Sequence, residues 1–236
     1  MIDVWCLRDP AVTRHVLDDA ERARADRFLC ARSAATYRAA HTLKRRILSH
    51  YRPDVAPTDW HFDANAWGKP AVAAPTEVPA FNLTHSGEAI AVAVADAEVG
   101  IDIERVRPLT HVDEVAGHVF HPQELAWLAD QPELMPAFFK LWTLKEALLK
   151  AAGTGFSHPA RQLAWQGLDD AWPMAEFGGR TWVGATRALD DGTLLSVAVP
   201  SGQDIQAARL LSLPSRSLEI AGGLAPDASP FLPCAS

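Results

Sequence analysis

Apolar and polar positions change period along this chain, and the changes divide it into elements. Ile2–Leu7 is an almost unbroken apolar run of strand length. From Asp18 to about Leu29, acids lead and basic residues follow, the charge order of a helix. Behind Ser33, a good N-cap, Tyr37, Ala40, Ile47, Leu48 and Tyr51 recur at helical spacing, and Pro53 ends that helix. Residues 53–80 hold five prolines and Gly68, which predicts loop with a short strand near Trp60–Phe62.

Shorter apolar runs then take over. Phe81–Thr84, Ala89–Ala95 and Val99–Glu104 read as strands, with a turn at Asp96-Ala97 between the last two. Asp113–Phe120 reads as helix, and Pro122 opens another that ends near Asp130. Pro136 opens the strongest helix, with Phe138, Leu141, Trp142, Leu149 and Ala152 on its apolar stripe and Gly153 at its end. Leu163–Gln166, Thr181–Ala185, Leu194–Val199 and Ala207–Leu211 are β-like runs separated by Gly and Asp turns.

The order strand, helices, strands, helices, strands makes the class α+β. Residues 1–103 and 104–213 have roughly the same order, which suggests two similar halves, although no sequence repeat is legible. Residues 214–236, rich in Ser, Pro, Ala and Gly, are expected to form a flexible tail.

Composition narrows the picture. A 236-residue chain that is 48% hydrophobic can build a substantial core. It has no apolar run of membrane-spanning length and no signal-peptide anatomy at Met1–Pro10. Cys6, Cys30 and Cys234 are odd in number and far apart, neither a disulfide framework nor a zinc pattern, which fits a reducing cytoplasm. The net charge of -7 argues against nucleic-acid binding. Residues 14–52 nevertheless sum to +6 and the remainder to -13. That segment reads either as a solvated helical face or as a patch for an anionic ligand or an acidic protein.

Candidate chemistry sits in two places. Within Val99–Glu104, period two turns Asp102 and Glu104 to one side and Ile101 and Ile103 to the other. Adjacent carboxylates repel, so this pair needs solvent, a basic partner or a cation. On the strong helix, Glu146 lies one turn beyond Trp142, and Lys150 one turn beyond Glu146. Those two are either a surface ion pair or, with Asp102 and Glu104, a metal and phosphate site. Three carboxylates suit a hard cation such as Mg²⁺.

Gly100-Ile101-Asp102-Ile103-Glu104, followed about forty residues later by Trp142-Thr143-Leu144-Lys145-Glu146-Ala147-Leu148-Leu149-Lys150, resembles the 4'-phosphopantetheinyl transferases of the longer, Sfp-like type. Phe81-Asn82-Leu83-Thr84-His85-Ser86 and the turn Gly68-Lys69-Pro70 agree with that family. The matching order runs from about residue 25 to residue 155; the C-terminal third adds no motif.

The resemblance implies a pseudo-symmetric monomer of two α/β halves, with coenzyme A in the cleft between them. It implies that Asp102, Glu104 and Glu146 bind Mg²⁺, with Mn²⁺ as the alternative, and that Lys150, His85 and Thr84 lie at the phosphates. Gly68, Lys69 and Pro70 would border the adenine, and Glu124 would be the general base. The family's arginine for the 3'-phosphate falls at His41 here, and Arg38, Lys44 or Arg45 would have to reach instead. Read without the family, His85 is a turn cap, Lys69 a loop lysine and Glu124 a first-turn acid that favours the helix dipole.

The implied reaction moves 4'-phosphopantetheine from coenzyme A to a serine of an apo acyl or peptidyl carrier protein and releases 3',5'-ADP. The competing readings are a Mg²⁺-dependent hydrolase of coenzyme A or a nucleotide, and a non-catalytic carrier-binding module.

Overall fold

The computed structural model describes residues 1–10, 14–67, 69–75, 78–155, 160–215 and 224–232. Two five-stranded sheets dominate. The first has the order β12 (Asp227–Pro230), β11 (Arg209–Leu213), β1 (Ile2–Arg8), β5 (Ala89–Ala95), β4 (Ala80–Ser86). The second has the order β6 (Gly100–Arg105), β10 (Thr193–Pro200), β9 (Arg180–Ala188), β8 (Met174–Phe177), β7 (Trp165–Gln166). β1 and β11 are parallel, and the other pairs within the two sheets are antiparallel. β2 (His61–Ala64) and β3 (Pro70–Ala74) form a separate hairpin.

The helices are α1 (Asp19–Ala25), α2 (Ala31–Tyr51), α3 (Val112–Val119), α4 (Pro122–Ala129) and α5 (Leu134–Ala152). The layers run α2, first sheet, second sheet, α5, and β5 shows how sequence builds them. Its Ile90, Val92 and Val94 pack with Leu43, Ile47 and Leu48 of α2. Its Ala91, Ala93 and Ala95 face the other way, against Ile101, Ile103, Val197 and Val199 of the second sheet. Bulky residues fill the helix side and small ones the space between sheets, as close packing requires. On the far side, Phe138, Leu141, Leu144 and Leu148 bury α5 against the second sheet. Each such side chain contributes about 1.5–3 kcal/mol. The two sheets share a pairing pattern: β1 lies beside β5, which pairs back to β4, and β6 lies beside β10, which pairs back to β9.

Several elements differ from the sequence reading. α1 stops at Ala25 rather than near Leu29, and α2 starts at Ala31 behind Cys30, not behind Ser33. α5 begins before Pro136, which sits in the first turn, where its missing N–H leaves no hydrogen bond unmade. The 103/104 boundary falls inside β6, all of which belongs to the second sheet, while β11 returns to the first. The expected tail contains β12, paired with β11, and Phe231 behind it is fully buried. Among the described residues, no helix is long and apolar enough to cross a membrane.

Candidate active site

β6 and α5 meet without intervening side chains. A Cβ placed on Gly100 would stand 1.9 Å from the Ala147 carbonyl oxygen and 2.4 Å from the Ala151 nitrogen. Only glycine permits that approach. Gly100, Asp102 and Glu104 share the side of β6 that faces α5, so the contact carries both acids towards Glu146 and Lys150. Lys150 Nζ donates to Asp102 Oδ1 at 2.6 Å.

The edge strand β4 closes the other side with every second residue. Asn82 Oδ1 accepts from the Ile101 backbone N–H at 3.1 Å, Thr84 Oγ1 donates to Asp102 Oδ1 at 2.9 Å, and Ser86 Oγ donates to Glu104 Oε2 at 2.8 Å. Arg107 Nη1 also reaches Glu104 Oε2, at 2.9 Å. The sequence motif gave no role to Asn82, Ser86 or Arg107; the alternation along β4 was the available signal.

Electrostatics marks the same spot. Asp102 is buried, and its Oδ2 has no hydrogen-bond partner. Burial raises its pKa against the pull of Lys150 and Thr84. Glu146 is pushed up to about 7, first by burial and then by Asp102 and Glu104, with Lys150 opposing. His85 has an exposed edge, yet loss of water around the rest of its ring, followed by the Lys150 charge, lowers its pKa and keeps it neutral at pH 7. An orphaned buried carboxylate oxygen beside two more carboxylates is a donor set that fits a hard divalent cation. Among the described residues no three His, Cys, Asp or Glu side chains already form a metal cluster. Lys150 is the group that neutralises Asp102 here.

Next to Lys150 opens a cavity of about 200 Å³, walled by Trp67, Lys69, Pro70, Asn82, Leu83 and Gly153 among others. Its wall is tied to the end of α5: Lys69 Nζ donates to the Ala151 carbonyl at 2.8 Å, and Asn65 Nδ2 donates to that of Gly153 at 2.9 Å. These are carbonyls that a helix end leaves without intrahelical partners. The structure thus gathers Asp102, Glu104, Glu146, Lys150, Thr84 and His85, with Lys69 and Pro70 alongside. Gly68 lies outside the described residues.

Three expected site residues are engaged elsewhere. Glu124 is fully buried. Its Oε2 accepts from the His121 backbone N–H at 2.8 Å and meets Lys145 Nζ at 2.8 Å, and its Oε1 accepts from the Trp165 N–H at 2.9 Å. Both of its oxygens are thus held within the fold, away from solvent. His41 Nδ1 lies 2.8 Å from Glu21 Oε1, with its ring over Tyr37. Arg38 is paired with Asp26 at 2.7 Å. Lys44 and Arg45 are buried on Glu21, with Arg45 also bound to Asp18. Arg38, Lys44 and Arg45 are therefore neutralised by acids of the 14–52 segment itself. Glu21 was legible in the sequence only as a first-turn acid.

Residues 98–197 match the family model described as the 4'-phosphopantetheinyl transferase superfamily. The chain is 35% identical over 156 residues to the 4'-phosphopantetheinyl transferase HetI of Nostoc sp. (strain PCC 7120), covering 64% of each chain. It is 41% identical over 113 residues to AcpT of Salmonella typhi, covering 46% of this chain and 54% of that protein. It is 31% identical over 144 residues to Sfp of Bacillus subtilis (strain 168), covering 59% of this chain and 61% of that protein. The chain thus spans less than two thirds of the length of each of these curated relatives. Residues 98–197 are thus similar to the 4'-phosphopantetheinyl transferase superfamily, and the relatives that the chain matches are transferases of that name.

Proposed function

We propose that this protein transfers 4'-phosphopantetheine from coenzyme A to a serine of an apo acyl or peptidyl carrier protein, releasing 3',5'-ADP. The observation that carries the reading is the grouping of Asp102, Glu104 and Glu146 about Lys150, which itself lines the Lys69–Pro70 cavity. The serine oxygen would form a bond to the β-phosphorus of coenzyme A as the bond from that phosphorus to the oxygen of 3',5'-ADP breaks, and the serine's proton would pass to solvent water. The orphaned Asp102 oxygen, Glu104 and Glu146 would hold Mg²⁺ or Mn²⁺. That ion would offset negative charge on the pyrophosphate.

The chain's own groups supply the rest. Lys150 exchanges Asp102 for a phosphate oxygen. His85, uncharged, offers a ring N–H to the same phosphates. Trp67 and Pro70 present flat apolar surface to the adenine, and Lys69 borders it. Positioning and charge complementarity provide most of the rate in phosphoryl transfer. Glu124 takes no part in proton transfer. Neither His41 nor Arg38 is free for the 3'-phosphate without giving up an acid partner. The shared pairing pattern of the two sheets supports a pseudo-symmetric pair of halves with coenzyme A between them, acting as a monomer.

The test is intact-mass measurement of apo carrier proteins incubated with the protein, coenzyme A and Mg²⁺, with EDTA as control. One phosphopantetheine added to the carrier serine, only with metal, is the expected result. Free phosphopantetheine released without any carrier would instead make the protein a hydrolase.

A further inference from the structure

The β2–β3 hairpin belongs to neither large sheet, yet its tip is fastened to the end of α5. Asn65 stands at the centre of that fastening. Its Oδ1 accepts from the backbone N–H groups of Trp67 and Lys69, both at 2.9 Å, and its own N–H donates to the Lys69 carbonyl at 3.0 Å. These three bonds fold the hairpin tip back on itself. A fourth leaves the hairpin: Asn65 Nδ2 donates to the Gly153 carbonyl, 2.9 Å away and 88 residues on. Gly153 caps α5 less than one turn after Lys150. A Cβ on Gly153 would stand 3.1 Å from the same Nδ2, so the two elements meet there without a side chain of α5 between them. We propose that Asn65 is a positioning residue. It holds the wall made by Trp67, Lys69 and Pro70 at a fixed place on α5, and so sets where a nucleotide in that cavity lies relative to Glu146 and Lys150.

The inference rests on the transfer reaction proposed above and adds the residue that fixes the nucleotide end of the donor. Asn65 does not itself line the cavity, and it is exposed, so the core does not depend on it. An asparagine that serves only a turn bonds the backbone just after it. The Oδ1 bonds do that, but the Nδ2 bond to Gly153 has no part in the turn. The bond from Lys69 Nζ to the Ala151 carbonyl is a second tie between the same two elements, made by a long, flexible stem. The Asn65 amide is short, planar and bonded at both its ends. A rigid wall lets binding energy from the nucleotide, remote from the reacting phosphorus, place the pyrophosphate on the carboxylates.

The test uses the full chain and two variants. Asn65→Asp keeps an oxygen for the Trp67 and Lys69 N–H groups and sets a carboxylate against the Gly153 carbonyl, so it breaks only the tie to α5. Asn65→Ala removes both sets of bonds. Affinities for 3',5'-ADP and for inorganic pyrophosphate are measured by calorimetry with Mg²⁺, beside thermal unfolding and kcat and KM for coenzyme A. We expect both variants to fold, and both to bind 3',5'-ADP about tenfold more weakly. Pyrophosphate affinity should hold within about twofold. The coenzyme A KM should rise with the 3',5'-ADP constant, and kcat should fall too, because a misplaced donor reacts slowly even when bound. If Asn65→Asp matches wild type in 3',5'-ADP affinity, Asn65 is a turn residue and the inference is overturned. An equal loss of pyrophosphate affinity also overturns it, tracing the effect to the new charge or to damage in α5. If wild type binds 3',5'-ADP through Asn65 but modifies no carrier, the positioning stands and the transfer reading falls. No binding of 3',5'-ADP by wild type overturns both.

Discussion

Glu124 Oε2 and Lys145 Nζ stand 2.8 Å apart, with solvent reaching neither side chain. Lys145 also donates to the Ala160 carbonyl at 2.8 Å and to that of Leu163. One ion pair therefore binds the start of α4, the 160–165 segment and α5, one residue before Glu146. Removing either member strands the other charge in the core. We expect Glu124→Ala or Lys145→Ala to lower unfolding free energy by about 3–5 kcal/mol in urea denaturation. A Glu124→Gln protein that unfolds like wild type yet turns over no carrier would return Glu124 to catalysis.

Glu21 predicts an acid-sensitive fold. Burial alone would raise its pKa, but the His41 hydrogen bond and the Lys44 ammonium outweigh it and hold the carboxyl well below its ordinary 4.5. The unfolded chain then takes up the proton first. The stabilisation is complete above the ordinary value and is lost as pH falls towards the depressed one. The gap in unfolding free energy between wild type and Glu21→Gln should be widest near about pH 6–7 and shrink steadily below 4.5. A gap that is constant with pH would mean that Glu21 is not the group responsible.

At Gly100 the added methyl of an alanine would meet backbone rather than a movable side chain. Gly100→Ala should therefore cost at least the upper end of the about 1–3 kcal/mol typical of overpacking. Because α5 must back away, turnover should fall even in protein that remains folded. Thermal unfolding together with carrier-modification rates would show both effects, and wild-type behaviour in both would refute the tight β6–α5 contact.

Asp102→Asn and Glu146→Gln should each cut metal-dependent transfer by about a hundredfold or more while near-ultraviolet circular dichroism stays native. Rates close to wild type at ordinary Mg²⁺ would remove the residue from the metal set.

The parts of the site that were legible in the sequence are those fixed by local periodicity. A strand's alternation put Asp102 and Glu104 on one side, and a helical turn set Lys150 beside Glu146. What could not be read depends on partners distant in the chain. Lys44 and Arg45 looked like surface charge because Glu21, their partner, lies on another helix. Glu124 fitted a first-turn acid and a family base equally well; its burial comes from Lys145 and Trp165. Nothing local marked the pairing of Asp3 with Arg209, whose guanidinium grips the Asp3 carboxylate at 2.8 and 2.7 Å.

The parallel pairing of β1 with β11 also bears on biogenesis. β1 has one edge filled early by β5, while the other waits for Arg209–Leu213, some two hundred residues downstream. Until then the nascent protein carries an open edge beside Val4 and Leu7, a template for mispairing between chains. Forms truncated before Arg209–Leu213 should accordingly be the aggregation-prone ones.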